Sequence, residues 1–272
     1  MIEAGKLSLD SEIWDLLPFN LGQINKKVTI FHLLTHTSGI GDYIDEESDE
    51  LEQMRELYDQ YPVYLWERLE YYLQMITPLP QKFGPGLRFG YSNAGFVLLG
   101  LAIEAAGGKA YQRYVTDEII VPLELRHTGF YRTDALPAST AHGYIRDATG
   151  GWRTNVFNLP VIGGSDGGLY TTARDLDILW RALFDGRVLS GKMLRAFLAP
   201  QAQRGADRSY GLGVYRYGGE ADAAYYAVGG DFGVDFFTAY FPDEGITASA
   251  LGNTEINTFP LLAALFGEDK KA

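Results

Sequence analysis

The chain has 272 residues, a formal net charge of −12 at pH 7 and no cysteine. Its length fits one large domain or two interleaved ones. The acidic balance argues against a nucleic-acid footprint, which needs a basic face, and reads as a solubility feature. The missing thiols exclude disulfides, cysteine nucleophiles and cysteine-based zinc sites.

No stretch approaches the roughly 18 uninterrupted apolar residues that a membrane-spanning helix needs. Residues 1–6 lack the apolar core of a signal peptide. They read instead as the last turn of a helix closed by Gly5. A chain that opens on a helix end is expected to have lost its beginning. On that expectation the compartment is cytoplasmic if Met1 is the true start, and exported if a leading segment is missing.

In chain order, Thr29 is placed to cap a short helix over 30–36 that stops at Ser38-Gly39. An acidic, amphipathic stretch follows over 46–60. Pro62 starts a predicted helix over 62–76, which Pro78 ends. A Gly/Pro loop over 83–90 delivers Tyr91-Ser92-Asn93 to an apolar helix over 94–106. Residues 111–120 are also predicted helical, and 142–153 form a hairpin around Thr149-Gly150-Gly151. Thr171 or Thr172 caps a helix over 173–184, and another covers 191–198. After Gln201 the period changes to short aromatic or β-branched runs over 210–217, 225–229, 234–241 and 246–252, an antiparallel meander. A helix over 258–266 closes the chain.

Tyr91-Ser92-Asn93 carries the first chemical signal. A tyrosine phenol near a cation loses its proton more easily and can act as general base or proton relay. An asparagine beside it orients a substrate amide without adding charge. The plainer reading of the same tripeptide is a helix start with Ser92 or Asn93 as cap. Gly163-Gly164-Ser165-Asp166-Gly167 fits a nucleophile-elbow pattern, but that mechanism needs a histidine after the serine, and His32, His36, His127 and His142 all precede it. It reads as a flexible loop. His32 and His36 have metal-ligand spacing, yet Leu33 stands where a zinc protease has glutamate and no third ligand is evident. They read as structural histidines at a helix end. Glycine-rich phosphate loops are absent.

The ordered landmarks His32-Leu33-Leu34-Thr35-His36-Thr37-Ser38-Gly39-Ile40, Tyr91-Ser92-Asn93-Ala94-Gly95 with Leu98-Leu99-Gly100, Gly167-Gly168-Leu169 with Thr172-Ala173 and Asp175-Leu176, Tyr210-Gly211-Leu212-Gly213 and Phe241-Pro242-Asp243-Glu244-Gly245 resemble the class C β-lactamase-like family. That family includes serine β-lactamases, penicillin-binding proteins and related esterases. The resemblance implies an α/β (α+β) fold, with a helical lobe against an antiparallel sheet flanked by helices. It implies a division into 1–28 (a remnant of the α/β lobe and a connection), 29–200 (mainly helical) and 201–272 (sheet plus terminal helix), forming one unit. It assigns active-site roles to Tyr91 and Asn93.

The family's third element, a Lys or His followed by a small residue and Gly, matches Val228-Gly229-Gly230-Asp231. These four residues are expected to line the substrate site, with the Asp231 N–H completing an oxyanion hole. Valine at 228 departs from the pattern. It removes the cation that favours a substrate carboxylate, and so points away from β-lactams toward neutral esters. The first element is missing altogether, because none of the ten serines has lysine three positions on. The nucleophile would lie about a dozen residues before Met1, roughly 18 Å along a helix. Two functions follow from the resemblance: a serine hydrolase of esterase or amidase type that is inactive as it stands, or a non-catalytic binding protein. The implied partner is a small ester, amide or β-lactam-like molecule. No cofactor, metal or nucleic acid is implied. The strand over 246–252, uncharged and without proline, is an expected edge for self-association.

Overall fold

The computed structural model describes residues 1–44, 56–57, 60–147, 149–220, 222–254 and 256–267. The acidic stretch over 46–60 lies almost wholly outside them. Residues 1–6 carry the two hydrogen bonds of a helix end: Lys6 N–H to Met1 O at 3.1 Å and Gly5 N–H to Ile2 O at 2.9 Å. A short helix α1, Ile13–Leu16, leads to α2, Ile30–Leu34. Thr29 caps α2 in a capping box whose third position is His32 rather than an acid. The helix stops two residues earlier than its pattern predicts, because His36 leaves the helical region with φ 53°.

The single helix expected over 62–76 is instead two three-residue-period turns, Val63–Leu65 and Leu69–Tyr72, the second running into α3, Leu73–Ile76. The sequence explains the difference. Val63, Trp66, Leu69, Tyr72 and Met75 are all buried and recur every third residue, which aligns on one face at three residues per turn and drifts off it at 3.6.

Helix α4, Asn93–Gly107, runs through the centre of this region, with Ala94, Val97, Leu98, Leu101 and Ala102 all buried. Around it close Ile13, Leu21, Val28, Ile30, Leu33, Leu69 and Ile76. A helix with so little polar surface is stable only inside a core. Gly108 ends it, and α5, Tyr111–Val115, continues into a wider π turn, Thr116–Ile120. No single described helix is long and apolar enough to cross a membrane.

The second half is built on a sheet. After the hairpin β1, Tyr144–Arg146, and β2, Trp152–Thr154, come α6, Ala173–Phe184, and α7, Gly191–Leu198. Thr172 and Ser190 cap the two helices by accepting from Asp175 N–H and Met193 N–H. The sheet follows in chain order: β3, Ala202–Gln203; β4, Arg208–Tyr210; β5, Tyr215–Tyr217; β6, Ala224–Asp231; β7, Val234–Phe241; β8, Ile246–Gly252. All neighbours are antiparallel. The run over 210–217, expected as one strand, is two strands joined by the tight turn at Gly211–Val214, where Gly211 N–H donates to Val214 O at 2.8 Å.

Alternation on β7 sorts the two faces. Thr238 accepts from Trp180 Nε1 of α6 at 2.9 Å, and Tyr240 stacks on the Trp180 ring. Phe237 and Ala239 point the other way, into a cluster with Tyr226 and Leu262 of the last helix α8, Phe259–Leu265. The sheet is therefore covered by α6 on one side and α8 on the other. The Tyr91 ring packs on the α8 side.

Gly100 in α4 lies against Ser165 of the loop over 163–168. A methyl there would sit 2.1 Å from Ser165 Oγ and 2.5 Å from Leu69 Cδ1. We expect Gly100→Ala to lower stability by about 1–3 kcal/mol through overpacking, read as a lower urea midpoint at unchanged slope. An unchanged midpoint would mean that the Ser165 loop yields freely.

Candidate active site

The start of α4 leaves several backbone N–H groups without intrahelical partners. Four consecutive ones are satisfied by side chains. Ser92 N–H donates to His36 Nδ1 at 3.1 Å. Asn93 N–H donates to Asp42 Oδ2 at 2.6 Å and Ala94 N–H to Asp42 Oδ1 at 3.1 Å. Gly95 N–H donates to Ser92 Oγ at 3.1 Å. Ser92 is thus the cap and is buried, while Tyr91 and Asn93 flank it at a fixed angle. The Asn93 side-chain amide also approaches Asp42 Oδ2, at 3.4 Å.

His36 brackets Tyr91. Its carbonyl accepts from Gly90 N–H at 2.8 Å, its Nδ1 accepts from Ser92 N–H on the other side, and its ring lies 4.2 Å from the Tyr91 ring and 5.0 Å from Phe96. Because Nδ1 faces a donor, the ring proton sits on Nε2 and points to Tyr210 Oη at 3.2 Å, tying the helix start to β4. Burial, with Arg204 adding repulsion, pushes the His36 pKa down to about 3, so the ring is neutral. Both nitrogens are used. His32 is used as well, its Nδ1 accepting from Thr29 N–H at 3.2 Å. The two rings do not share a helix face, since α2 ends at Leu34. Among the described residues no group of three His, Asp or Glu side chains is arranged to hold a metal ion.

Sequence reasoning passed over Asp42, Tyr43 and Asp166. Burial raises Asp42 to about 7, against the opposing N–H groups of Ala94 and Asn93, the Lys82 charge and the Tyr43 N–H. Tyr43 O–H donates to Asp166 Oδ2 at 2.5 Å. Burial and the Asp166 charge hold the Tyr43 hydroxyl well above its usual range. Asp166 is itself raised by burial, opposed by the Tyr43 hydrogen bond. The available signal was an acid set among glycines, Gly163-Gly164-Ser165-Asp166-Gly167-Gly168, in an otherwise apolar stretch. Ser165 of that loop has its Oγ buried and unpartnered against Gly100. No helix follows it until Ala173.

Val228, Gly229, Gly230 and Asp231 end β6. Strand β5 pairs with β6 only from Ala224 to Tyr226, whereas β7 pairs with it through to Asp231. Beyond Tyr226 one edge of β6 thus has no strand partner among the described residues. Val228 stands opposite Phe237, on the face that carries Tyr91, and is 37% exposed. The two glycines differ. A methyl at Gly229 would meet the Phe236 ring at 2.4 Å, so internal packing already requires glycine there. At Gly230 the nearest atom would be Val234 O at 3.8 Å, which leaves that position open to an approaching ligand. Burial raises the Asp231 carboxyl to about 7, the Phe232 N–H opposes it, and the Asp166 charge adds to it.

The 36–44 segment is tied to the second half of the chain at both ends: His36 to Tyr210 of β4, and Ile44 to Phe232 and Ile145. Tyr91 packs on His36, whereas Asn93 binds Asp42, beside the Tyr43 that donates to Asp166. The chain thus places a phenol and a neutral amide at the start of α4, and a β6 edge without a strand partner among the described residues, with no lysine or histidine at the Val228 position.

Replacing His36 by Asn should cost about 2–4 kcal/mol, since it removes a buried ring together with the Nε2–H that donates to Tyr210 Oη. The sign of its pH dependence is set. With a folded pKa of about 3 against an ordinary 6.5, its contribution is complete above pH 6.5 and is lost as pH falls toward 3. The melting-temperature gap between the unaltered protein and His36→Asn should therefore narrow on acidification, and a gap constant with pH would contradict a neutral His36.

Residues 1–265 match the Beta-lactamase family model. A penicillin-binding protein from Bacillus halodurans is 37% identical and superposes with a TM-score of 0.88 over 98% of this chain and 79% of that one. A D-stereospecific amidohydrolase from a Streptomyces species, at 24% identity, shares the fold with a TM-score of 0.83 over 99% of this chain and 82% of its own. The putative penicillin-binding protein PbpX of Bacillus subtilis strain 168 is 29% identical over 214 residues, 78% of this chain and 48% of that protein. This chain thus spans about half the length of that curated relative. The fold is the β-lactamase and penicillin-binding-protein fold, and the chain belongs to the β-lactamase family of serine hydrolases.

Proposed function

We propose that this chain carries the base and substrate side of an acyl-transfer site and that, lacking a Ser-x-x-Lys, it does not turn over as it stands. In this reading Tyr91 takes the proton from an attacking serine hydroxyl as its oxygen bonds to the acyl carbon. Tyr91 then returns the proton to the leaving group as the ester or amide bond breaks. Asn93 orients the acyl group, and Val228, Gly229 and Gly230 line its path. The Asp231 N–H, which the resemblance would aim at the oxyanion, pairs instead with Val234 across the β6–β7 turn. The N–H on the open edge there is that of Gly230. Residues 29–200 act as the helical lobe and 201–272 as the sheet lobe of one unit, with 1–28 connecting. The observation that carries the reading is the bracketing of Tyr91 by His36. The half-buried Tyr91 is held between the His36 ring and the start of α4, the placement a proton-transferring phenol needs.

Val228 turns the expected substrate toward neutral esters and amides, because nothing at that position pairs with a carboxylate. It is also what favours the second reading, a non-catalytic protein that keeps the site to bind a small ester-like or amide-like ligand. The 272-residue chain should take up no covalent label from a fluorophosphonate or benzylpenicillin. The same chain preceded by a helix bearing Ser-x-x-Lys should label and hydrolyse short esters faster than penicillin, by about tenfold or more. Val228→Lys in that extended form should reverse the preference. An adduct on Ser92 or Ser165 in the unextended chain would overturn the assignment, and an extended chain that folds but stays unlabelled would favour the binding role.

The same reading extends to assembly. Strand β8 pairs with β7 only, among the described residues, and Ile246 and Leu261 are 54% and 58% exposed on β8 and the adjoining α8. An uncharged edge next to apolar side chains is a template for another strand. We expect concentration-dependent association by light scattering, with backbone exchange along Ile246–Gly252 slowing as the protein is concentrated. A monomer at all concentrations with slow exchange there would remove the proposal.

A further inference from the structure

We propose that Arg204 is a positioning residue for the reaction, supplying from the β3–β4 turn the positive charge beside Tyr91 that Val228 cannot. The inference rests on reading Tyr91 as the proton-transferring phenol, and adds the residue that biases its protonation. The Arg204 N–H donates to Arg208 O at 2.9 Å, which fixes the turn. Its side chain lies back over the sheet. The guanidinium carbon stands 4.7 Å from the centre of the Phe89 ring and 5.1 Å from that of Tyr215 on β5. Aromatic faces attract a cation through their quadrupole, so two rings hold this charge in place.

Those rings belong to the cluster on which Tyr91 packs. Phe89 and Tyr91 are two residues apart in sequence, and both lie against Tyr210, Tyr215 and Tyr226. The His36 ring adjoins both, 5.7 Å from Phe89 and 4.2 Å from Tyr91. A cation in this position stabilises the phenolate, the form of Tyr91 that accepts the serine proton. The neighbours of Tyr91 offer no other positive centre on this cluster. His36 is neutral, kept so by burial and then by the Arg204 charge. Tyr210, Tyr215 and Tyr226 contribute phenols. On the helical side stands Asp42, its carboxyl taken up by the N–H groups of Asn93, Ala94 and Tyr43. Asp207 shares the turn with Arg204, yet among the described residues Arg204 is in no salt bridge. Arg88 is the competing cation: it precedes Phe89 in the chain and lies over the Phe83 ring at 4.3 Å.

The test places 3,5-difluorotyrosine, a phenol that ionises near neutral pH, at position 91 and follows its titration by fluorine NMR. Arg204→Gln should raise the midpoint by about half a pH unit, about threefold in the phenolate-to-phenol ratio. Arg204→Lys keeps the charge and should restore most of the difference, a rescue that a packing role alone does not give. KCl at about 1 M should shrink the gap between Arg204→Gln and the unaltered side chain, because an exposed charge is screened. Arg88→Gln should move the midpoint less. Arg204 is exposed, so these changes at its position leave the core intact. An unchanged midpoint in Arg204→Gln, a lysine variant that shifts as far as the glutamine one, a gap indifferent to salt, or a larger shift in Arg88→Gln overturns the assignment. Any of those results leaves the labelling of the extended chain, and with it the acyl-transfer reading, untouched. An extended chain that stays unlabelled while Arg204→Gln shifts the midpoint removes that reading and leaves Arg204 as the charge at Tyr91.

Discussion

The saturation of the α4 N-terminus by side chains from outside the helix is the interaction on which the rest of the site depends. An open helix start binds anions because its N–H groups and dipole point outward together. Here Asp42 takes two of those groups, His36 one and Ser92 one, so no such anion site remains. The helix dipole is spent on an internal carboxylate. In exchange, the two residues beside Ser92 are fixed relative to β4 and to the 36–44 segment. A non-glycine residue with φ 53° at His36 is strained by about 1–2 kcal/mol, and it persists because its carbonyl and both ring nitrogens are committed.

Electrostatics around the site follow from the same economy of cations. Buried Asp42 keeps its charge only through its three N–H donors and the Lys82 field, and burial still raises it to about 7. Asp166 and Asp231 have fewer compensations and share a neighbourhood. In relatives by resemblance a Lys or His at the Val228 position would supply a positive centre. In this chain the aliphatic side chain supplies none, and the cations that act on the start of α4 are Lys82, felt by Asp42, and Arg204, felt by His36. The sign of the local field decides which molecules are drawn in before any bond is made.

Much of the fold was legible because periodicity reports burial. The runs over 234–241 and 246–252 match β7 and β8 to the residue, and Thr29, Ser92 and Thr172 are caps where a hydroxyl precedes an apolar run. Residues 62–76 misled because an apolar repeat of three resembles one of 3.6 over a short window. The turn inside 210–217 was hidden because Tyr210 and Tyr215 are apolar on both sides of it. Asp42 and Asp166 were illegible for a different reason. An acid in a loop looks solvated until a fold made by distant residues, Asn93 for one and Tyr43 for the other, takes its water away.

That division bears on how the site can persist without a nucleophile. The hydrogen bonds that hold Ser92 and Asn93 come from His36 and Asp42, the Tyr91 ring packs against the sheet cluster with Leu262, and the turn after Asp231 is held by Asn155. The start of α4 is therefore ordered by side chains of the 36–42 segment and by its own cap. Preorganisation of this kind places donors and proton acceptors before charge develops, and it serves a ligand that is only bound as well as one that is cleaved.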